Sequence, residues 1–253
     1  MLDYSQELSK PCDVPMFSII TVSWNAEQTI RKTIESVINQ TERDFEYIII
    51  DGASTDNTMQ IVTEYSKKIT RILCEMDSGI QDAYNKGINL ASGRYIGILN
   101  ADDQYNLNTL EIVRKEIDKL EDPETIIYGG MSFTDNSEDY LFVSHVELGK
   151  RMICHPTCFI PASIYRRFGN YDLKYSIASD YDLLSRLSFF GVSFLGINRP
   201  LVIYKPGGIS SQKKLTSIRD TLTIQKKYNN WNFLKYSYES ARLLAALFYQ
   251  KIK

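Results

Sequence analysis

Short apolar runs alternate with helix-like patterns along the first half of the chain. Four runs have the length of buried strands: residues 17–24, 45–50, 71–74 and 95–99. Between them, apolar residues recur at the spacing of an amphipathic helix, most clearly at Ile30, Ile34, Val37 and Ile38. Strands that alternate with helices at this spacing predict βαβ units with right-handed crossovers. We therefore predict an α/β fold whose mainly parallel sheet is flanked by helices.

The pattern is less regular beyond a helix predicted around Leu110 and Val113. Three strand-like runs follow, at 126–130, 140–146 and 154–160. A helix near 180–190 and a strand pair between 192 and 204 come next. We interpret this half of the chain as a mixed extension of the same sheet.

Both ends of the chain differ from the body. Residues 1–15 are polar and broken by prolines, so we predict an N-terminal extension and no secretion signal. Residues 213–253 carry nine Lys and Arg against two Asp and Glu, a net charge of +7, whereas the rest carries −9. They are predicted to form a basic amphipathic helical tail, dispensable for chemistry. Such a tail can lie on anionic lipid, pack on the body or form a homodimer, and these alternatives remain open.

The composition is that of an ordinary soluble protein, with 253 residues of which 43% are hydrophobic and 24% charged. No apolar run reaches the roughly 20 residues that span a bilayer. We therefore expect a cytoplasmic protein whose contact with the inner face of the cell membrane is at most peripheral. No nucleic-acid partner is expected.

The cysteines allow two interpretations. All four, Cys12, Cys74, Cys154 and Cys158, are unevenly spaced, which favours reduced thiols. The segment from Cys154 to Cys158 contains His155, and with His145 it could supply four zinc ligands. Structural zinc sites usually contain two closely spaced cysteine pairs, and only one is present. We favour buried thiols on a strand.

Acidic residues follow three of the predicted parallel strands. Asp51 follows the second strand, Asp77 the third, and the pair Asp102 and Asp103 the fourth. The carboxyl ends of parallel strands meet at one edge of a sheet, where ligands bind. Paired carboxylates beside a phosphate-bearing ligand commonly hold Mg²⁺ or Mn²⁺. Alternatively, Asp102 and Asp103 cap a helix beginning near Leu107, and Asp77 is a turn residue.

Five ordered segments resemble family 2 glycosyltransferases: residues 18–25, 50–58, 77–87, 99–103 and 179–182. The resemblance covers roughly residues 16–210, and the order of the five motifs makes it specific although each alone is weak. It implies a GT-A fold, Rossmann-like, with a catalytic domain over 16–212. The nucleotide-binding half is expected at about 16–104 and the acceptor half at about 105–212.

The resemblance also implies roles for donor-side residues. Val22 and Trp24 match positions that line the nucleobase, Asp51 the acid that bonds the base, and Asp102 the metal-binding acid of the D-x-D motif. Further expected donor-site members are Asp77, Lys86, Asn100 and Ala101. The family usually has Asp where this chain has Asn100, so we expect weaker metal affinity and a compensating role for Asp103. Lys86 can equally be an exposed helix lysine.

On the acceptor side, Asp180 matches the catalytic base of the family. Its alternative role is to cap the following helix, and Asp182 is expected to be structural. His155 lies in a segment typical of the acceptor side. It is either a satisfied interior histidine or a contact for phosphate, acceptor or metal.

The resemblance leads to a functional expectation. We expect a Mn²⁺- or Mg²⁺-dependent inverting transferase that moves a hexosyl or N-acetylhexosaminyl group from a nucleotide sugar, UDP-linked, to a glycan or lipid-linked oligosaccharide of a bacterial surface polysaccharide. A metal-dependent phosphatase or nucleotidyltransferase and an inactive nucleotide- or glycan-binding module remain alternatives. A dinucleotide oxidoreductase is disfavoured because no G-x-G-x-x-G follows the first strand.

Overall fold

A computed structural model of the protein describes residues 14–133, 139–148, 151–205 and 214–228. Its strands are β1 Phe17–Ser23, β2 Phe45–Asp51, β3 Arg71–Cys74, β4 Tyr95–Asn100, β5 Gln104–Tyr105, β6 Ile126–Ser132, β7 Tyr140–Leu141, β8 Phe159–Pro161 and β9 Phe194–Ile203. The α-helices are α1 Ile30–Ile38, α2 Thr58–Glu64, α3 Ile80–Leu90, α4 Thr109–Ile117, α5 Ala162–Phe168, α6 Ser179–Phe189 and α7 Lys214–Tyr228. Short 3₁₀ helices occur at Ser66–Lys68, His145–Glu147 and His155–Thr157.

The parallel part of the sheet is as predicted. β1 pairs in parallel with both β2 and β4, and β2 pairs in parallel with β3. The register places Ser23 beside Asp51 and Val22 beside Asn100. Because all these strands run the same way, their carboxyl ends form one edge, from which the predicted acids emerge.

Helices cover both faces of the sheet. Neighbouring residues of β1 point to opposite sides, so Ile19 belongs to one apolar cluster and Ile20 to the other. The first cluster includes Ile30 and Ile34 of α1, which are fully buried as their spacing predicted. The second includes Tyr84 of α3, together with residues of α5 and α6. This layering is the predicted α/β architecture.

The second half is the expected mixed extension. The sheet order is β3-β2-β1-β4-β8-β6-β9-β5, with β7 paired to β6. β8 lies antiparallel to β4, whereas β9 runs parallel to β6. The predicted strand pair between 192 and 204 is wrong, because β9 is a single strand. The register against β6 shifts next to Pro200, which is consistent with a residue that has no N–H to donate.

Two further local predictions differ from the structure. The run 154–160 is a strand only at β8, since Pro156 helps to start a 3₁₀ turn at His155–Thr157. The run 140–146 is a strand only at β7. Helix α5 was not predicted. Its buried residues, such as Ile164 and Tyr165, contribute to the apolar cluster that contains α3.

The first helix of the predicted tail packs on the body. In α7, Ile224 is fully buried and clusters with Tyr175, Ala178 and Tyr181, at and before the start of α6. The predicted apolar stripe from Trp231 onward lies outside the described residues, as do residues 1–13. No helix in the described part of the chain combines the length and apolarity needed to cross a membrane.

Candidate active site

The predicted acids of β4 and the predicted base gather around one tyrosine of α3. Tyr84 is buried, and burial is the main cause that raises its pKa well above the usual value. The negative charges of Asp180, Asp103 and Asp102 raise the pKa further. Asp102 and Asp180, which lie 78 positions apart in the chain, are therefore both close enough to Tyr84 to affect its pKa.

Asp102 is the acid of the Asp102–Asp103 pair that is available to a ligand. It is half-buried, and no described side chain donates a hydrogen bond to its carboxylate. Burial raises the pKa of Asp102, and the positive charge of Lys205 lowers it. A carboxylate with few partners at a strand end is suited to bind a cation.

Asp103 points into the protein instead. It is fully buried, and its oxygens accept hydrogen bonds from the Lys205 backbone N at 3.2 Å and from Asn100 Nδ2 at 3.3 Å. Burial, followed by the charge of Asp102, raises the pKa of Asp103 to about 7. The alternative that the two acids cap a helix is wrong, because β5 intervenes and α4 begins at Thr109.

Both polar atoms of the Asn100 side-chain amide form hydrogen bonds within the protein. Its Oδ1 accepts a hydrogen bond from the Tyr84 hydroxyl at 2.8 Å, while its Nδ2 donates to Asp103. Ala101, the next residue, is buried in the apolar core beneath the turn. Neither residue exposes a free side-chain group in the way that Asp102 does.

Asp51 is also fully buried and bonded. Its carboxylate accepts hydrogen bonds from the hydroxyls of Ser23 at 2.8 Å and Ser54 at 2.7 Å, and from the Ser54 backbone N at 2.8 Å. Cys74 Sγ adds a contact at 3.4 Å. A contact between Asp51 and the nucleobase stays a prediction. It requires one of these hydrogen-bond partners to move away from the carboxylate. Val22 is only 5% exposed and packs in the core.

Trp24 is the prominent exposed aromatic side chain at this edge, with 65% of its surface accessible. A Cβ atom added to Gly52 would lie 3.5 Å from Trp24 Cδ1 and 2.5 Å from Asp77 Oδ2. Glycine at position 52 thus lets the Trp24 and Asp77 segments approach each other. Asp77 Oδ1 accepts a hydrogen bond from the Gly79 backbone N at 2.9 Å, so its turn role is present as well.

Lys86 is engaged in contacts within the protein. Its ammonium group lies 2.8 Å from the Met76 carbonyl oxygen, 2.9 Å from Glu75 Oε1 and 3.5 Å from Asp82 Oδ2. These contacts fasten the segment before α3 onto the helix. A contact between Lys86 and donor phosphate stays a prediction.

Asp180 stands in the first turn of α6, which begins at Ser179. The capping alternative is wrong, since Ala178 occupies the cap position and no side chain caps the helix. Asp180 Oδ1 accepts a hydrogen bond from the Tyr181 backbone N at 2.7 Å. Burial raises the pKa of Asp180 to about 6. Asp182 is buried and forms an ion pair with Lys227 of α7 at 3.5 Å, which is the expected structural role.

His155 is an interior histidine. Its Nε2 is bonded to the Tyr171 hydroxyl, and its ring packs near that of Tyr84. Burial lowers the pKa of His155 to about 4, so the ring is neutral at physiological pH. A contact with acceptor or phosphate stays a prediction.

The zinc interpretation is wrong for the described part of the chain, where no three His, Cys, Asp or Glu residues are grouped to hold a metal. Cys154 Sγ lies 2.9 Å from Met131 Sδ, and His145 Nδ1 is bonded to the Tyr128 hydroxyl at 3.1 Å. The partners of these side chains are thus other protein groups. Cys154 and Cys158 do not lie on a strand, although Cys158 is buried as expected.

Several positioning residues were not predicted. Gln81 and Asn85 lie one turn apart on α3 and bond backbone atoms of Ser176 and Tyr171, in the loop that leads to Asp180. Lys205, two residues after the end of β9, lowers the pKa of Asp102 by its charge and donates its backbone N–H to Asp103. Polar residues at i and i+4 on a helix beside the site were the only sequence signal for the α3 contacts.

The sequence is similar to those of known glycosyltransferases. A model described as glycosyl transferase family 2 matches residues 18–173. A PGL/p-HBAD biosynthesis glycosyltransferase of Mycobacterium tuberculosis is 34% identical over 174 residues, covering 66% of this chain and 68% of that protein. The putative teichuronic acid biosynthesis glycosyltransferase TuaG of Bacillus subtilis is 39% identical over 100 residues, 38% of this chain and 40% of its own.

Solved structures share the fold. S. aureus TarS 1-349 in complex with UDP-GlcNAc is 17% identical with a TM-score of 0.67, covering 90% of this chain and 71% of that one. Mannosyltransferase PcManGT from Pyrobaculum calidifontis, in complex with GDP-Man and Mn²⁺, is also 17% identical with a TM-score of 0.67, covering 93% and 73%. Because the family model spans more than half of the sequence, the chain belongs to glycosyl transferase family 2, with the GT-A fold that its structure shows.

Proposed function

We propose that the protein transfers one sugar, with inversion, from a UDP-linked donor to a hydroxyl of a glycan or lipid-linked acceptor. The observation that carries this proposal is the placement of Asp180, whose pKa is raised to about 6, around the same Tyr84 as Asp102 and Asp103. At neutral pH such a carboxylate is ionised, yet it is more basic than an exposed Asp. It is therefore suited to take the proton of the acceptor hydroxyl.

The donor edge is acidic, which favours a divalent cation. A diphosphate placed near Asp102 would be repelled unless a cation lay between them. Among the described residues, Lys205 supplies a positive charge that lowers the pKa of Asp102. We assign metal contact to Asp102 and a supporting role to the buried Asp103. The described residues hold no complete set of metal ligands, so the donor phosphates would supply others. A bound Mn²⁺ or Mg²⁺ would stabilise the charge on the leaving diphosphate.

Trp24 is proposed to pack against the nucleobase. Its indole is 65% exposed, although burial of so large an aromatic surface is favourable. It projects near Gly52 and Asp77, where the turns after β2 and β3 meet. We propose that the base lies on this side of the site, with Asp51 at its edge and the phosphates toward Asp102.

The proposed donor and acceptor classes are supported by related proteins. TarS structures are described in complexes with UDP and UDP-GlcNAc, which supports a UDP-linked hexose or N-acetylhexosamine. The relatives named above are described as enzymes of PGL/p-HBAD and teichuronic acid biosynthesis. We therefore propose a role in bacterial surface-glycan biosynthesis. A lipid-linked acceptor would place the enzyme at the cytoplasmic face of the membrane.

The decisive experiment screens UDP- and GDP-linked sugars for Mn²⁺-dependent binding by calorimetry, followed by transfer assays with glycan and lipid-linked acceptors. We expect UDP release and a product whose anomeric configuration, read by NMR, is opposite to that of the donor. Release of inorganic phosphate would indicate a phosphatase instead. Binding of UDP without turnover on any acceptor would indicate an inactive binding module.

A further inference from the structure

Asn100 stands where the family usually has an acid, and its contacts suggest why. We propose that Asn100 is a positioning residue whose amide, held between Tyr84 and Asp103, keeps Asp103 turned inward and leaves Asp102 as the carboxylate that faces the donor. This inference rests on the proposed function, because it concerns the same acidic edge. It assigns Asn100 to the support of the site instead of to contact with the nucleotide.

The orientation of the Asn100 amide follows from its partners. The NH₂ group of Asn100 donates a hydrogen bond to Asp103 Oδ2 at 3.3 Å, and the ionised form of Asp103 can only accept hydrogen bonds. The amide oxygen then faces the Tyr84 hydroxyl, which donates to it at 2.8 Å. Tyr84 is itself held by ring contacts with His155 and Tyr171. The amide is thus fixed from both sides.

Asp103 is held at three points. Its Oδ2 receives the Asn100 amide, its Oδ1 receives the Lys205 backbone N at 3.2 Å, and its own carbonyl oxygen accepts a hydrogen bond from Thr33 Oγ1 at 2.7 Å. The residue is fully buried. Because turning Asp103 toward a ligand would break both hydrogen bonds to its carboxylate, Asp102 remains the accessible acid of the pair.

An acid at position 100 would conflict with this arrangement. Asp has no NH₂ group, so the donor to Asp103 would be lost and two carboxylates would meet in a buried site. Asn supplies both a donor and an acceptor with nearly the same shape. In this chain, an amide at position 100 therefore fits the buried acid at position 103 better than an acid would.

The test compares three variants: Asn100→Asp, the exchange Asn100→Asp with Asp103→Asn, and Tyr84→Phe. Each is measured for Mn²⁺-dependent UDP binding by calorimetry and for thermal unfolding. Asn100→Asp is expected to weaken UDP binding roughly tenfold or more and to lower the melting temperature. The exchange is expected to restore both, because an amide at 103 can donate to an acid at 100 and still accept from Lys205. Tyr84→Phe is expected to weaken binding, since it frees the amide to rotate.

Asn89→Asp serves as the matched control, because it adds one acid to the exposed face of α3. It should leave UDP affinity and melting temperature unchanged. If wild-type protein binds UDP with Mn²⁺ but Asn100→Asp binds equally well, or if the exchange fails to restore binding, the inference is overturned. If wild-type protein does not bind UDP, the proposed function fails, while the melting temperatures still decide whether Asn100 supports Asp103.

Discussion

Asn85 bonds both backbone polar atoms of Tyr171. Its Nδ2 lies 2.9 Å from the Tyr171 carbonyl oxygen, and its Oδ1 lies 3.0 Å from the Tyr171 backbone N. One turn earlier on α3, Gln81 Nε2 bonds the Ser176 carbonyl oxygen at 2.8 Å. The adjacent Tyr84 reaches back to the end of β4. Helix α3 therefore links the acidic strand end to the loop that carries Asp180.

We predict that Asn85→Ala lowers turnover more than it lowers donor affinity. The change leaves the backbone N–H and C=O of Tyr171 without their partner, which costs about 1–3 kcal/mol of stability for a buried group. The loop before Asp180 would then lose its set position. Steady-state kinetics should show a reduced kcat, and calorimetry should show little change in UDP affinity. A loss of UDP affinity with unchanged kcat would contradict the positioning role.

Asn89→Ala is the control for this variant, because Asn89 lies one turn further along α3. Its side chain is exposed and makes a long contact of 3.3 Å with Asn170. The control should behave like the wild type.

Asp102→Ala is predicted to abolish Mn²⁺-dependent UDP binding without unfolding the protein. Burial raises the pKa of Asp102, which means that its ionised carboxylate destabilises the folded state. Removing the carboxylate should therefore not lower the free energy of unfolding. Calorimetry with and without Mn²⁺ measures the first effect, and thermal unfolding the second. The exposed Asp118→Ala, which breaks a surface ion pair with Arg114, should leave nucleotide binding intact.

Asp180→Asn is predicted to cut turnover by about 10²–10⁴-fold and to leave UDP affinity nearly unchanged. In the wild type, kcat should fall as the pH drops below about 6, because the protonated carboxyl cannot accept the acceptor proton. In the variant, kcat should no longer show this decrease at low pH. Wild-type rates in the variant would show that another residue acts as the base. Asp182→Asn, which breaks the ion pair with Lys227, is expected to change stability more than kcat.

The same pKa shift has a consequence for stability. The pKa of Asp180 rises from 3.8 to about 6 on folding, so the folded state binds the proton more tightly than the unfolded state. This contribution to the free energy of unfolding is complete below pH 3.8 and is lost as the pH rises through about 6. Asp180→Asn removes the buried charge, so at pH 7 it should not lower the unfolding free energy. A marked loss of stability at pH 7 would show that the charge has a structural partner.

Trp24→Ala is predicted to weaken UDP binding with little change in stability, because the indole is already 65% exposed. Isothermal calorimetry and thermal unfolding separate the two effects. Phe189→Ala is a matched control, since Phe189 is 59% exposed and lies at the opposite end of α6 from Asp180. Equal UDP affinity of Trp24→Ala and the wild type would exclude a contact with the base.

Ending the chain at residue 213 is predicted to destabilise the catalytic domain. Removing α7 would expose the cluster that Ile224 forms with Tyr175, Ala178 and Tyr181. This differs from the expectation that the whole tail is dispensable. Ile224→Ala, which removes only part of the contact, should lower the unfolding free energy by about 2–5 kcal/mol, as measured by denaturant titration. An unchanged melting temperature of the shortened chain would show that α7 adds nothing to the fold.

The sequence by itself determined the parallel strands and the edge at which their acids emerge. The apolar run of β1 and the helical stripe of α1 are local patterns, and a strand's direction decides where its last residues lie. The motif order likewise indicated the family and its fold. These features need no knowledge of which distant residues meet.

Only the tertiary structure decided which acids are accessible. Asp102 and Asp103 are adjacent and alike in sequence, yet only Asp103 is fully buried, with its carboxylate bonded by the backbone N of Lys205, 102 residues later. Asp51 is enclosed by Ser23 and Cys74 from neighbouring strands. Whether a carboxylate faces solvent depends on contacts between residues far apart in the chain, and local periodicity carries no information about those contacts.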